Sequence, residues 1–477
     1  MKLGRFLLGF CATASATWLA SAAAQPFAVD RFVPETGLAM QMSLSPVVKE
    51  AAPAVVNIYT KRVVKTRGRA SVFDDPFFRE FFGDRGMRGM ARERVQQSLG
   101  SGVIVGPDGV VVTNNHVVEG MTEIKVVLTD RREYPAEVLL TDERTDLAIL
   151  KIETQEPLPY LRFANSEAAE VGDIVLAIGN PFGVGQTVTS GIVSALARTQ
   201  LSISDFQFFI QTDAAINPGN SGGALVDVDG NLLGVNTAIF SRSGGSNGIG
   251  FAIPGNLVQQ VVNTAINGGQ VIKRPWLGAS LDTVTSDLAK ALQLDRPAGA
   301  LVQDVFPGSP AAKAGIKEGD VIIAVAGQEV FDAPAATYRI GTKSDGDAVP
   351  VSVIRKGKAR ALTVALALPP ETPRRDTHMV AGNNPLAGTT IANLSPALAD
   401  ELGMSPFDRG VVVTAITRRS AGARIGLRQK YRILNINGTE VGSVKDIKTI
   451  LAQPRDRRGW YIQIQDPQGR LNQIRLR

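Results

Sequence analysis

Gln211-Thr212-Asp213-Ala214-Ala215-Ile216-Asn217-Pro218-Gly219-Asn220-Ser221-Gly222-Gly223-Ala224-Leu225 is the stretch on which the reading of this chain turns. A serine hydroxyl is a weak nucleophile and attacks only as it hands its proton to a base. The chain holds only two histidines in 477 residues. One of them, His116, lies upstream in Val112-Thr113-Asn114-Asn115-His116-Val117-Val118, and Asp146 stands between the two segments in Thr145-Asp146-Leu147-Ala148-Ile149-Leu150. An imidazole, with an unperturbed pKa of about 6.5, takes up and returns a proton near neutrality. A buried carboxylate fixes its tautomer and stabilises the imidazolium. His116, Asp146 and Ser221 therefore supply base, orienter and nucleophile, in one of the three chain orders in which such a triad occurs. The glycines fit the same chemistry. A tetrahedral intermediate carries an oxyanion that needs backbone N–H donors. Gly219, Asn220 and Ser221 are expected to build that site, with Gly219 letting its own N–H and that of Ser221 face one point.

Composition bounds the rest. Hydrophobic content of 44% and charged content of 20% mark a globular chain, long enough for two to four domains. The net charge of +6 comes from scattered basic residues, not from a stripe among aromatics, which argues against a nucleic-acid partner. Lys2 and Arg5 precede the apolar run 6–19, and Ser21-Ala22-Ala23-Ala24 offers a small-residue cleavage site, so residues 1–24 read as a secretory signal peptide. The run is too short for a spanning helix, which needs about 20 apolar residues, and no stable membrane anchor is expected. Cys11, the sole cysteine, falls inside this segment, leaving a secreted chain with no disulfide. A bacterial periplasm suits both features.

Residues 27–41 read as an extended leading segment. From 54 to 252 short β-like runs alternate with turn residues, which predicts an all-β sandwich or barrel. A helix is expected after Pro254, with Leu257, Val261, Val262 and Ile266 on one face. Residues 67–97 break the rhythm as a long loop containing Asp74-Asp75-Pro76-Phe77-Phe78-Arg79-Glu80-Phe81-Phe82. Its phenylalanines read either as local core or as a hook for another subunit or the active site. The C-terminal third repeats: Gly299-Ala300-Leu301-Val302 matches Gly410-Val411-Val412-Val413, and at the same spacing Ser309, Gly315 and Gly327 fall on Ser420, Gly426 and Gly438. Two copies of one module follow. Between them Pro369-Pro370-Glu371-Thr372-Pro373-Arg374-Arg375-Asp376 reads as a linker, with His378 solvated in it.

Asn114-Asn115-His116-Val117-Val118, Thr145-Asp146-Leu147-Ala148, the stretch from Gln211 to Gly223, Gly179-Asn180-Pro181-Phe182-Gly183 and Gly248-Ile249-Gly250-Phe251-Ala252-Ile253-Pro254 together resemble the HtrA/Deg family of serine proteases. That resemblance implies a mainly β chain. It would carry a chymotrypsin/trypsin-like domain of two six-stranded β-barrels with the triad in the cleft between them, followed by two PDZ domains. It also implies homotrimers that grow into larger cages. The boundaries then read 1–24 signal, 25–270 protease with a regulatory loop at 67–97, 271–369 first PDZ, 370–384 linker and 385–477 a divergent second PDZ. Gly308-Ser309-Pro310-Ala311-Ala312 and Ala314-Gly315-Ile316-Lys317-Glu318-Gly319-Asp320-Val321-Ile322 carry the PDZ likeness. Trp276-Leu277-Gly278-Ala279 is the expected loop for a peptide carboxylate. In the second copy Gly319-Asp320 becomes Lys430-Tyr431 and the loop reads Pro385-Leu386-Ala387-Gly388, so its fold is better supported than its peptide binding.

Relatives that cut after Lys or Arg carry an acid where this chain has Ala215, beside Ile216. A specificity pocket formed there has no buried charge to offset desolvation of a basic side chain, so cleavage after small or medium apolar residues is expected. Asn220 cannot pair with a newly made N-terminal amine, and Arg198 is the candidate regulatory relay by resemblance. The reading is an ATP-independent endopeptidase that degrades misfolded polypeptides, with chaperone activity, no cofactor and no metal. Its rivals are a non-catalytic chaperone or PDZ adaptor, and a membrane-anchored stress sensor.

Overall fold

The computed structural model describes residues 43–64, 94–180, 185–198, 208–217, 219–239, 246–269, 271–453 and 459–476. The signal, the 27–41 segment and residues 67–93 of the long loop lie outside them, as does the side chain of Arg198. The chain divides into two compact units at Leu44/Ser45, and everything below belongs to the second.

After a short helix α1 (Ser45–Ala51), strands β1 (Val55–Val64), β2 (Arg94–Gly106), β3 (Val110–Asn114), β4 (Glu123–Val127), β5 (Glu133–Asp142) and β6 (Leu147–Ile152) close into a barrel in the order β1-β2-β3-β6-β5-β4. Strands β7 (Ile174–Gly179), β8 (Thr187–Arg198), β9 (Phe209–Thr212), β10 (Ala224–Val226), β11 (Leu232–Ile239) and β12 (Gly250–Pro254) close a second, in the order β10-β11-β12-β9-β8-β7. The choice between sandwich and barrel thus falls to two six-stranded barrels, whose closure leaves no unpaired edge. Local chemistry sets the register. Pro107-Asp108-Gly109 turns β2 into β3, with the Gly109 N–H donating to the Gly106 carbonyl at 3.1 Å. Every residue of β3 is buried, and β6 pairs along it from Val110↔Lys151 to Asn114↔Leu147.

Two expectations need correction. Residues 94–97, assigned to the loop, pair with Val64, Val63, Arg62 and Lys61 as the first part of β2, so the loop ends earlier. The helix after Pro254 forms as α3 (Gly255–Ile266), following α2 (Asn115–Val118), but Ile266 is 55% exposed. At about 100° per residue, Leu257, Val258, Val261, Val262 and Ala265 share one face while Ile266 points well off it.

The C-terminal third forms two like modules. The first has β13 (Ala279–Thr283), β14 (Ala300–Val305), β15 (Val321–Val325), β16 (Gln328–Glu329), β17 (Ala348–Arg355) and β18 (Lys358–Ala365) with helices α4 (Ser286–Ala291), α5 (Pro310–Ala314) and α6 (Ala333–Gly341). The second has β19 (His378–Met379), β20 (Thr389–Asn393), β21 (Val411–Ile416), β22 (Arg432–Ile436), β23 (Thr439–Glu440), β24 (Trp460–Gln465) and β25 (Leu471–Leu476) with α7 (Pro396–Glu401), α8 (Ala421–Arg424) and α9 (Val444–Ala452). Their elements fall in the same order, and each module encloses its own apolar core. β19 is the exception: nothing in the first module matches it. It also places His378, expected to be solvated, in a strand paired with Ile391.

Candidate active site

Each candidate triad residue stands where a strand of one barrel meets the other. β3 ends at Asn114, and α2 then carries His116. Asp146, in the turn just before β6, has φ of +57°, a left-handed conformation uncommon outside glycine. Two donors hold that backbone: the Asn115 N–H and the Asn114 Nδ2, each 3.0 Å from the Asp146 carbonyl. In this posture Asp146 Oδ2 lies 2.7 Å from His116 Nδ1, and Oδ1 accepts from the His116 N–H at 3.0 Å. The carboxylate grips both ring and backbone of the histidine, which fixes the imidazole with Nε2 free to act.

Thr237 on β11 closes the circuit. Its Oγ1 donates to Asp146 Oδ2 at 2.9 Å, while its carbonyl accepts from the Ser221 hydroxyl at 3.2 Å. Attack requires that hydroxyl to turn from the Thr237 carbonyl to the imidazole. Sequence reasoning missed Thr237, which carries no motif and reaches the site only because the second barrel presents β11 to the first.

The loop around Ser221 is pinned from the first barrel by Ser101, also missed. The Ser101 N–H donates to the Ser221 carbonyl at 2.9 Å, its Oγ donates to the Gly219 carbonyl at 2.6 Å, and that Oγ accepts from the Asn180 N–H at 2.9 Å. Gly222 is required by space: a Cβ there would stand 2.2 Å from the Ser101 carbonyl oxygen. The Asn220 N–H is used by the Asn217 carbonyl at 3.0 Å, while the Gly219 and Ser221 N–H groups donate to no described residue and stand available to an oxyanion. Asn220 is itself buried, and its Oδ1 finds no donor among the described residues.

Ala215 is partly exposed, its carbonyl accepting from Thr189 Oγ1 at 2.9 Å. Ile216 packs into the core of the second barrel. Arg198 lies at the end of β8, where its backbone pairs with Phe209. Among the described residues no cluster of three or more His, Cys, Asp or Glu is placed to hold a metal ion.

Trp276, Leu277, Gly278 and Ala279 lead into β13 as a loop beside α6, at one end of a cavity of about 450 Å³. Met404 and Phe407 of the second module wall the same cavity. Two ion pairs tie this region to the loop before Asp146. Buried Arg274 Nη2 lies 2.5 Å from Asp142 Oδ2, and Arg144 Nη1 lies 2.9 Å from Asp400 Oδ1 on α7. Burial pulls the Arg274 pKa below its ordinary value, and Asp142 opposes that. Helix α6 docks on the second barrel, with Tyr338 stacked on Phe208 at 3.7 Å between centroids.

Two six-stranded barrels with a histidine–aspartate pair and a serine linked across their junction define a trypsin-type serine peptidase. The sequence agrees: residues 100–235 match the trypsin-like peptidase domain and residues 275–366 the PDZ domain. A probable periplasmic serine endoprotease, DegP-like, of Chlamydia pneumoniae is 41% identical over 85% of this chain and 84% of its own length. The periplasmic serine endoprotease DegP of Salmonella typhimurium is 40% identical, covering 87% and 88%. Among solved structures, the HtrA-type protease AlgW with tripeptide is 43% identical, covers 69% of this chain and 98% of its own, and superposes with a TM-score of 0.51. The chain belongs to the HtrA/Deg family of periplasmic serine endoproteases. It is a serine protease with PDZ modules.

Proposed function

We propose that this protease works without ATP on misfolded or damaged polypeptides in the periplasm, reached by a cleaved signal at 1–24, and that it also acts as a chaperone. The observation that carries the catalytic assignment is the chain of hydrogen bonds His116–Asp146–Thr237–Ser221 across the barrel junction. Ser221 attacks the scissile carbonyl as His116 takes its proton, and Asp146 stabilises the imidazolium. The Gly219 and Ser221 N–H groups receive the oxyanion; removing one such donor costs about 3 kcal/mol of transition-state stabilisation. His116 then returns the proton to the leaving amine, and water completes the cycle. Ala215 in place of an acid favours small or medium apolar residues at the cleavage position.

The first PDZ module takes substrate C-termini at Trp276–Ala279, a reading supported by the PDZ match over residues 275–366 and by the Gly278 N–H, which donates to no described residue. Control of the site runs from that module's groove helix, α6, through the Tyr338–Phe208 stack into β9, beside which Arg198 ends β8. Assembly into homotrimers or larger cages belongs to the same proposal.

The test is digestion of casein by the purified chain beside Ser221→Ala. Digestion lost in the variant supports the assignment. Equal digestion by both refutes it, and no digestion by either, with or without C-terminal peptides, favours the chaperone alone.

A further inference from the structure

The two modules present the same groove in different states. In the first, β13 pairs with β14 along one edge from Thr283↔Ala300 to Ala279↔Val305, and no strand pairs with its other edge among the described residues. The Gly278 N–H, at the head of that edge, donates to no described residue. This is the arrangement into which an extended peptide adds as a strand, its terminal carboxylate meeting loop N–H groups.

In the second module the matching edge is filled. β20 pairs with β21 on one side and with β19 on the other, through His378↔Ile391 and Met379↔Thr390. The Val380 N–H donates to the Thr389 carbonyl at 2.8 Å, and the Gly388 N–H donates to the Val380 carbonyl at 2.8 Å. Gly388 is the counterpart of Gly278: an added Cβ would stand 2.3 Å from Ser420 Cβ in one case and 2.2 Å from Ser309 Cβ in the other. The Val380 carbonyl thus stands where a peptide's terminal carboxylate would. The contact continues upstream, since the Asn393 N–H donates to the Arg375 carbonyl at 2.6 Å and Asn393 Nδ2 to the Arg374 carbonyl at 2.8 Å. From the far wall of the groove, Lys448 on α9 reaches Asp376 at 3.0 Å.

Side chains alternate as a bound peptide's would. Val380 is 2% exposed in the module's core, Met379 is 61% exposed, and His378 is half-buried. The segment runs antiparallel to β20 with Val380 nearest the loop, which is the direction a C-terminus would take.

We propose that residues 374–380 are a ligand carried in cis, which keeps the second module's groove closed to free C-terminal peptides while the first module's stays open. The proposal rests on the reading of the modules as peptide binders. It explains how the second module can keep the fold of the first without competing for the same substrates. A hydrophobic C-terminus ending in valine is the chemistry this groove is built to take.

The experiment uses the full chain as Ser221→Ala and a fluorescent peptide copying residues 376–380, Asp-Thr-His-Met-Val, with a free carboxylate. Titration calorimetry counts peptides per chain, and hydrogen exchange locates them. One peptide per chain is expected, with new protection confined to residues 276–283, while 388–391 are protected before any peptide is added. His378→Pro removes a strand donor, and Val380→Ser empties the apolar seat. Either is expected to raise the count to two, with protection at 388–391 now dependent on peptide. Thermal melting of both variants identifies any that has unfolded, so the reading is taken from the one that holds its fold. Two peptides on the unaltered chain, or peptide-dependent protection at 388–391 there, would overturn the proposal. So would an opened second module that still takes none while the first binds. If neither module binds in any variant, the reading of both as peptide sites falls, and this inference with it.

Discussion

Thr237→Val removes one hydroxyl and keeps the shape of the side chain. Thr237 is 2% exposed and its Oγ1 donates to Asp146 Oδ2 at 2.9 Å, so no water replaces the lost donor. A hydrogen bond to a charged group contributes about 1.5–3 kcal/mol. Asp146 keeps its two contacts with His116, so the histidine remains held but the carboxylate loses the partner that aims Oδ2. The charge on Asp146 matters most when the imidazolium forms, so the loss falls on the transition state more than on bound substrate. At about 1.4 kcal/mol per factor of ten, kcat should drop roughly 10- to 150-fold with KM little changed. The assay is steady-state cleavage of a chromogenic peptide with an apolar residue before the scissile bond, run beside Thr237→Ser. Serine restores the hydroxyl and should recover most of the rate. An unchanged kcat in the valine variant, or a serine variant as slow as valine, would refute the reasoning.

Arg274→Ala leaves Asp142 as a buried carboxylate, 10% exposed, without its guanidinium partner. Breaking such a pair costs about 3–5 kcal/mol, which urea denaturation should register as a lower midpoint. Asp142→Leu combined with Arg274→Met should recover most of that loss, and a single variant as stable as the parent would sink the argument. Phe208→Ala removes the ring on which Tyr338 stacks. It is expected to weaken stimulation of cleavage by C-terminal peptides while peptide affinity at the first module stays unchanged, and full stimulation in the variant would show that the signal takes another route.

The candidate catalytic residues and their order could be proposed from the chain because each role needs a specific side chain: imidazole, carboxylate, hydroxyl and flanking glycines. The repeat was legible because glycines in turns keep fixed spacing, and the all-β character because short alternating runs need short turns such as Pro107-Asp108-Gly109; the runs alone left sandwich and barrel open, and the two barrels came only with the family resemblance. One boundary and one buried position were misread for local reasons. Residues 94–97 are too polar to announce a strand, and gain their place by pairing with β1. Ile266 looks like core by composition, yet the helix turns it outward.

Other features had no sequence signal at all. Thr237 and Ser101 are an ordinary threonine and serine until the second barrel sets β11 and the Ser221 loop against the first. Asp146 adopts φ of +57° only because Asn114 and Asn115 hold its carbonyl. His378, in a proline-rich stretch that reads as linker, becomes part of a strand because β20 offers an unpaired edge nearby. The sequence by itself determined the chemistry, the family and the number of modules, since these depend on residue type and spacing along one chain. Tertiary structure alone decided which neutral side chains position the catalytic ones and which groove is already filled. Those depend on contacts between residues far apart in sequence, where local preference carries no information.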